Sequence, residues 1–106
     1  MKIFLDECVD WRLSRDIIGH ETRSAHQMGW TAVKNGELLA LVSQHFDVFV
    51  TVDQNLAFQQ NLATVSIAVI VLQAKTNRLS DIRVLVPDLL AAVETAQPGR
   101  IQRIGR

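Results

Sequence analysis

The sequence predicts an α/β fold in which a mainly parallel sheet of four to five strands lies between two layers of helices. Three observations carry this prediction. Short apolar runs without polar alternation recur along the chain, which is typical of strands buried on both faces. Segments with apolar residues at helical spacing lie between these runs. Two of the runs end directly at an aspartate, Asp6 and Asp53. We therefore expect a three-layer α-β-α sandwich that forms one domain over residues 1–106.

The composition limits the class of protein. The chain has 106 residues, of which 48% are hydrophobic and 21% charged, which suits a globular domain and excludes a disordered or collagen-like chain. The 11 basic and 11 acidic residues cancel, so affinity for nucleic acid has to come from a local patch. The visible basic cluster is Arg100, Arg103 and Arg106. A single cysteine, Cys8, excludes an internal disulfide and a thiolate-rich zinc site.

The first third of the chain predicts two strands with a helix between them. Residues 2–5 form an apolar strand that ends at the first of the two aspartates. Apolar residues spaced by four positions predict a helix from about Asp10 to Ile18, and Gly19 is a suitable stop. Residues 20–25 are polar enough for a return strand near the sheet edge, and residues 27–30 predict a turn or short helical piece.

The middle of the chain predicts a helix, a strand and a second helix. Asn35 is a good N-cap for a helix of about ten residues that ends before Asp47. Residues 47–52 form the third strand. Asp53 follows this strand and can cap a helix from about Asn55 to residue 61 or 62, so capping alone is one explanation of this aspartate.

The last third predicts a buried strand, an interrupted helix and an edge strand. Residues 66–72 are rich in β-branched side chains, which favours a strand. Ser80 caps the following helix, in which Pro87 removes a backbone donor and predicts a kink or break. Pro98-Gly99 is a turn, and residues 100–104 form a last edge strand.

Three motifs resemble a known family. They are Met1-Lys2-Ile3-Phe4-Leu5-Asp6-Glu7, Asn35-Gly36-Glu37-Leu38-Leu39 and Thr51-Val52-Asp53-Gln54-Asn55. Together they resemble the small single-domain PIN-like family, and the similarity continues through Leu79-Ser80 and Pro98-Gly99-Arg100. PIN-like proteins are typically Mg²⁺- or Mn²⁺-dependent ribonucleases, and many small ones resemble toxins of bacterial toxin–antitoxin pairs. The resemblance therefore implies an RNA substrate and a small antitoxin partner, and folds of this kind often form homodimers.

The resemblance assigns the site residue by residue. Asp6 matches the first acidic residue of the family, Glu37 the acid on the helix after the second strand, and Asp53 the acid after the third strand. These three side chains are the implied catalytic residues and ligands of Mg²⁺ or Mn²⁺. A hard divalent cation prefers oxygen ligands, and beside a phosphodiester it deprotonates water and stabilises charge on the attacked phosphorus. Glu7 is a candidate helper.

Two positions depart from the family pattern. Asn35 lies where the pattern often has Asp, and Asn55 lies where a second Asp commonly follows the one that matches Asp53. Each asparagine removes a negative charge from the expected pocket, although an amide oxygen still coordinates a metal. Both asparagines are candidate helpers, and both are also candidate helix caps. Whether one or two metals bind stays open.

Two further groups of residues have a functional and a structural explanation each. Arg100, Arg103 and Arg106 could neutralise RNA phosphates, but charges on an exposed terminal strand also discourage edge pairing. Trp11 and Trp30 could stack on RNA bases, but ordinary packing is the better explanation of both.

Two other functions compete with a ribonuclease toxin. The first is a catalytically weakened PIN-like module that binds an antitoxin or RNA, which the asparagines at positions 35 and 55 favour. The second is a receiver-like phosphoacceptor domain, which also places acids after its first and third strands. Such a domain needs Ser or Thr at the end of the fourth strand and Lys after the fifth, where this chain has Leu72-Gln73-Ala74 and arginines.

The sequence also predicts where the protein works. No basic segment followed by a long apolar segment opens the chain, and the longest apolar run, Ile67–Leu72, is far shorter than the ~20 residues that span a bilayer. We therefore expect a cytoplasmic protein without membrane contact.

Overall fold

The computed structural model describes residues 1–33, 35–53 and 66–105, with the backbone alone at 35–36. Within these residues the chain forms a five-stranded, all-parallel sheet in the order β2-β1-β3-β4-β5. The strands are β1 (Lys2–Leu5), β2 (Glu21–Ser24), β3 (Val48–Thr51), β4 (Ala68–Gln73) and β5 (Ile101–Gly105). The helical segments are a 3-10 helix (Trp11–Asp16), α1 (Ala25–Met28), α2 (Asn35–Ser43), α3 (Leu79–Arg83) and α4 (Val86–Glu94). The predicted α/β class with a parallel sheet is confirmed.

The strand order reverses between β1 and β3. The chain runs from β1 outwards to β2 and then crosses to the other side of β1 to form β3. Leu5 pairs with Ser24 of β2 on one side and with Val50 of β3 on the other. Such a reversal is a topological switch point, and ligands of open α/β sheets bind beside it, at the carboxyl ends of the strands. We call that side of the sheet the carboxyl edge.

The sheet separates two apolar cores. Because side chains alternate along a strand, Ile3 and Leu5 enter one core while Phe4 enters the other. The first core is closed by the 3-10 helix, α3 and α4, and the second by α1 and α2. Helical segments therefore cover both faces of the sheet, which is compatible with the predicted three-layer sandwich.

The helix predicted over Asp10–Ile18 is shorter and tighter than expected. It is a 3-10 helix over Trp11–Asp16 in which Leu13 is buried. Val9 and Ile17 are also buried, but they flank this helix and do not belong to it. The four-residue spacing therefore reflects two anchoring residues at the ends of a short 3-10 helix, and it does not mark one face of an α-helix.

Residues 27–30 were predicted as a turn or short helical piece, and α1 occupies Ala25–Met28. Ser24 Oγ accepts a hydrogen bond from the Gln27 backbone N–H at 3.2 Å, and Gln27 Oε1 accepts one from the Ser24 N–H at 2.8 Å. This reciprocal capping box stabilises a helix of one turn, which ends at Gly29. The end of β2 thus continues directly into a helix.

The interruption predicted at Pro87 is confirmed, because α3 and α4 are separate helices. Pro87 lies in the first turn of α4, where its missing N–H has no helical partner to lose. The prediction that Ser80 caps the helix is wrong, since Ser80 lies inside α3 and Arg78 is the N-cap. The hydroxyl of Thr76 accepts a hydrogen bond from the Arg78 N–H at 3.0 Å and donates one to Asp81, which starts the helix earlier.

The helix predicted from about Asn55 lies outside the described residues. Among the residues that are described, no helix is long and apolar enough to span a membrane.

Candidate functional site

The candidate site lies at the carboxyl edge, beside the switch point between β1 and β3. Asp6 directly follows β1, Thr51 is the last residue of β3, and Asp53 lies two residues further on. The backbone N–H of Asp6 donates to the Val50 carbonyl at 2.9 Å, so the ladder between the two strands extends to this aspartate. The sheet itself therefore fixes the main chain from which the Asp6 carboxylate projects.

The carboxylate of Asp6 is buried, with only 7% of the residue exposed. Its Oδ1 accepts a hydrogen bond from the Glu7 backbone N–H at 2.9 Å, and its Oδ2 accepts one from the Thr51 hydroxyl at 2.9 Å. An ionised carboxylate has about four lone-pair positions. Its two oxygens therefore have acceptor capacity beyond these two bonds.

Thr51 joins the two aspartates. Its hydroxyl donates to Asp6 Oδ2 and accepts from the Asp53 backbone N–H at 3.0 Å. The residue is completely buried, so each of these hydrogen bonds replaces water that cannot reach it. The sequence motif contained Thr51, but it did not assign the residue a role. The available signal was a polar residue at the end of an otherwise apolar strand.

Cys8 completes the buried polar cluster. Its Sγ lies 3.5 Å from Asp6 Oδ2 and 3.4 Å from the Thr51 hydroxyl oxygen. Burial, and next the negative charge of Asp6, raise the pKa of the Cys8 thiol above its ordinary value, whereas a hydrogen bond with Thr51 and one from the Val52 backbone act in the opposite direction. Cys8 is therefore a neutral thiol at neutral pH and a weak nucleophile.

The two predicted glutamates occupy different positions at this edge. Glu7 is exposed, and its backbone N–H contacts the Asp6 carboxylate. Glu37 is exposed in the first turn of α2, where a negative charge is favourable to the helix dipole. Because α2 leads back to the start of β3, its first turn lies on the side of the carboxyl edge. The structure therefore links the Asp6 carboxylate with the Asp53 backbone through Thr51, and it does not gather Asp6, Glu37 and Asp53 into one group.

The predicted metal site stays a prediction. Among residues 1–33, 35–53 and 66–105, no group of three or more His, Cys, Asp or Glu side chains is arranged to hold a metal ion. Asn35 begins α2, but its side chain is not among those described, and Asn55 lies outside the described residues as well. The two asparagines thus stay candidate helpers.

The arginines proposed to contact RNA lie away from this cluster. Arg100 directly precedes β5, so it lies at the amino edge of the sheet, opposite Asp6. Arg103 is exposed on β5, which is an edge strand. Arg106 lies outside the described residues. A role of these side chains in RNA binding would require a substrate that extends beyond the carboxyl edge.

Hollows in the surface flank the cluster on both sides. On the β2 side, two hollows of about 470 and 370 Å³ share Trp11 and His26 in their walls. On the β5 side, a hollow of about 540 Å³ is lined by residues that include Lys75, Asp81 and Gly105. The carboxyl edge is therefore open enough to accept an extended ligand.

No family model, curated protein or solved structure matches this chain. The PIN-like family therefore stays a resemblance that rests on the three sequence motifs.

Proposed function

We propose that this protein is a metal-dependent ribonuclease of the PIN-like type. The observation that carries the proposal is the hydroxyl bridge of Thr51, which binds the Asp6 carboxylate and the Asp53 backbone at the switch point. One buried hydroxyl thus fixes the Asp6 carboxylate and the main chain of Asp53, two residues whose side chains carry oxygen donors after neighbouring central strands. Such donors suit a hard divalent cation.

Asp6, Glu37 and Asp53 would hold Mg²⁺ or Mn²⁺. The donors suit such an ion by chemical type, because all three are carboxylates and Cys8, the soft donor nearby, is a neutral thiol. When bound, the cation supplies an activated water and stabilises charge on the phosphate. Thr51 and the Glu7 backbone N–H keep the Asp6 carboxylate in a fixed orientation, and the remaining lone pairs of its two oxygens would bind the ion.

The toxin role is part of the same proposal. We propose RNA as substrate and a small antitoxin protein as partner in the cytoplasm, because many small PIN-like proteins resemble toxins. Inspection of the neighbouring open reading frame tests the second point. A short partner gene directly adjacent is the expected result, and a gene without such a neighbour would argue against the toxin role.

The main alternative is a weakened PIN-like module that binds an antitoxin or RNA without cutting. Asn35 and Asn55 favour it, because each replaces a negative charge of the family pattern. A receiver-like phosphoacceptor has less support. β4 ends at Gln73 and β5 carries Arg103, where that chemistry needs a hydroxyl and a lysine.

Cleavage of a mixed RNA substrate tests the proposal. The parent is incubated with Mg²⁺ or Mn²⁺ beside Asp6→Asn and Asp53→Asn, which keep the size of each side chain and remove its charge. Asp47→Asn is the matched control, since Asp47 precedes β3 at the opposite edge, where its Oδ2 accepts from the Lys2 N–H at 2.9 Å. We expect cleavage by the parent and by the control, and a loss of at least about 100-fold in the two site variants.

Each contrary result has a definite meaning. Cleavage that survives both site substitutions would exclude this site. A parent that binds RNA but does not cut it with either metal would support the binding module.

A further inference from the structure

The two tryptophans have different surroundings. Trp30 is half-buried and packs against Phe4, Phe46 and His45, with ring centroids 5.8, 6.2 and 5.9 Å apart. Trp11, by contrast, is 43% exposed. Packing in the core therefore explains the position of Trp30. It does not explain why a large part of Trp11 is exposed to water.

Trp11 stands in a groove that leads to the candidate site. The two hollows of about 470 and 370 Å³ both have Trp11 and His26 in their walls. One reaches Ser24 at the end of β2, and the other reaches Glu7, the residue next to Asp6. We call these two adjoining hollows the Trp11 groove. Each has the size of a small-molecule site, for which ~300–1,000 Å³ is typical.

The indole is held in place before any ligand binds. The Arg15 guanidinium lies 5.1 Å from the centroid of the Trp11 ring, so a cation–π contact supports one face of the ring. Trp11 is the first residue of the 3-10 helix, which Asp10 caps and Leu13 anchors in the core. The Trp11 side chain therefore loses little conformational freedom when a ligand binds, and this favours affinity.

The charges around the groove select the type of ligand. The Asp10 carboxylate is paired with the Arg12 guanidinium at 2.7 Å, and Glu7 adds a negative charge. This mixed lining is unfavourable for a phosphate group, which would be repelled by Glu7. The flat Trp11 indole in the same groove suits an uncharged aromatic ring as ligand. Every nucleobase has such a ring.

We propose that the Trp11 groove binds one unpaired base of a single-stranded RNA, stacked on Trp11. This inference deepens the proposed function and rests on it for the identity of the ligand. Stacking needs neither metal nor cleavage, so the two can be tested separately. The groove would then position the substrate and not take part in the reaction.

Fluorescence reports the stacking directly. The chain has two tryptophans, so Trp30→Phe leaves Trp11 as the sole indole. A hexa-adenylate RNA is titrated into this variant in EDTA, with ribose 5-phosphate as the control for phosphate alone. We expect saturable quenching by the RNA and none by the sugar phosphate. Absence of quenching by RNA, or equal quenching by both ligands, would overturn the proposal.

A second measurement is made on proteins that keep Trp30, so it does not depend on the Trp30→Phe variant. Binding of the fluorescein-labelled RNA in EDTA is followed by anisotropy. We expect Trp11→Ala to weaken binding about tenfold and Trp11→Phe to stay within about threefold. The control is Ile18→Ala, since Ile18 is 78% exposed and is not among the residues that line the groove. Unchanged binding by Trp11→Ala would refute the base site.

The outcomes separate the two proposals. Weakened binding by Trp11→Ala together with an inactive parent supports the groove and contradicts the ribonuclease. An active parent whose RNA affinity is insensitive to Trp11 supports the ribonuclease and contradicts the groove.

Discussion

The hydroxyl of Thr51 donates to the Asp6 carboxylate at 2.9 Å, although the two residues are 45 positions apart in the chain. The contact forms because β1 and β3 are parallel neighbours whose carboxyl ends coincide. Since the same hydroxyl accepts from the Asp53 N–H, a single buried oxygen joins the Asp6 carboxylate to the main chain that follows β3.

Removal of that hydroxyl should destabilise the protein. Thr51→Val keeps the shape of the side chain but leaves two buried polar groups without this partner, so we expect the free energy of unfolding to fall by about 1–3 kcal/mol. Thr51→Ser keeps the hydroxyl and should lose only about 1 kcal/mol, for one methyl group. Urea denaturation measures both. A valine variant as stable as the parent would show that the bridge contributes nothing to stability.

Manganese should stabilise the folded protein if the carboxylates hold it. A ligand that binds only the native state raises stability by about 2.7 kcal/mol at a concentration 100 times its Kd. We expect Mn²⁺ to raise the Tm of the parent and of Asp47→Asn, and to leave the Tm of Asp6→Asn unchanged. Differential scanning fluorimetry with and without EDTA measures this. Equal shifts in all three proteins would place the metal elsewhere.

The Cys8 thiol should react slowly in the native protein. Its raised pKa means a smaller thiolate fraction at any given pH, and only the thiolate is alkylated. At pH 8 we expect labelling by iodoacetamide to be at least about tenfold slower than in urea-denatured protein. Asp6→Asn removes the second cause of the shift and should speed labelling in part, while burial remains. A native rate equal to the denatured rate would contradict the described burial.

Asp10 should titrate at unusually low pH. Hydrogen bonds from the Arg12 side chain and backbone lower the pKa of Asp10 to about 2. Because the folded-state pKa is the lower one, the stability from this pair is present above pH ~4 and is lost as the pH falls through about 2. Arg12 is exposed, so screening by solvent should keep this loss of stability small. Carbon-detected NMR titration measures the pKa, and Arg12→Gln should return it towards the ordinary range.

Two glycines with the same backbone angle form a matched pair. Gly19 and Gly105 both have φ of 88°, a region that costs an L-residue about 1–2 kcal/mol. A Cβ on Gly19 would meet no atom within 4 Å, whereas one on Gly105 would collide with the Gln73 carbonyl oxygen and approach Leu85 Cδ2 at 3.1 Å. We expect Gly105→Ala to destabilise the protein more than Gly19→Ala does in urea denaturation. Equal losses of stability in the two variants would show that the end of β5 can shift to accept a Cβ without a cost in free energy.

Local patterns were enough to predict most of the sheet. The apolar runs that form β1, β3 and β4 are buried on both faces. Strands buried in this way consist almost wholly of apolar residues, which is visible in the sequence. The two aspartates were found for the same reason, because a charge that follows such a run is conspicuous. The predicted turn at Pro98-Gly99 and the break near Pro87 also follow from single residues with restricted backbones.

What the sequence could not reveal depends on contacts between distant segments. The role of Thr51 follows from the register that aligns Leu5 with Val50, which no local pattern specifies. The spacing of Val9, Leu13 and Ile17 predicts a longer helix than the 3-10 helix that forms, because it does not show that Val9 and Ile17 are buried from outside that helix. Likewise, the difference between Trp11 and Trp30 is decided by which core each indole can reach.

The parallel order of the sheet also has a kinetic consequence. β1 is the first strand of the chain, yet its partner β3 begins at Val48, so the chain has to close a long loop before the two strands can pair. Contacts of such sequence separation form slowly compared with local ones. Asp6 can therefore meet Thr51 only when this closure is complete, and RNA cleavage or metal binding would be a late marker of folding.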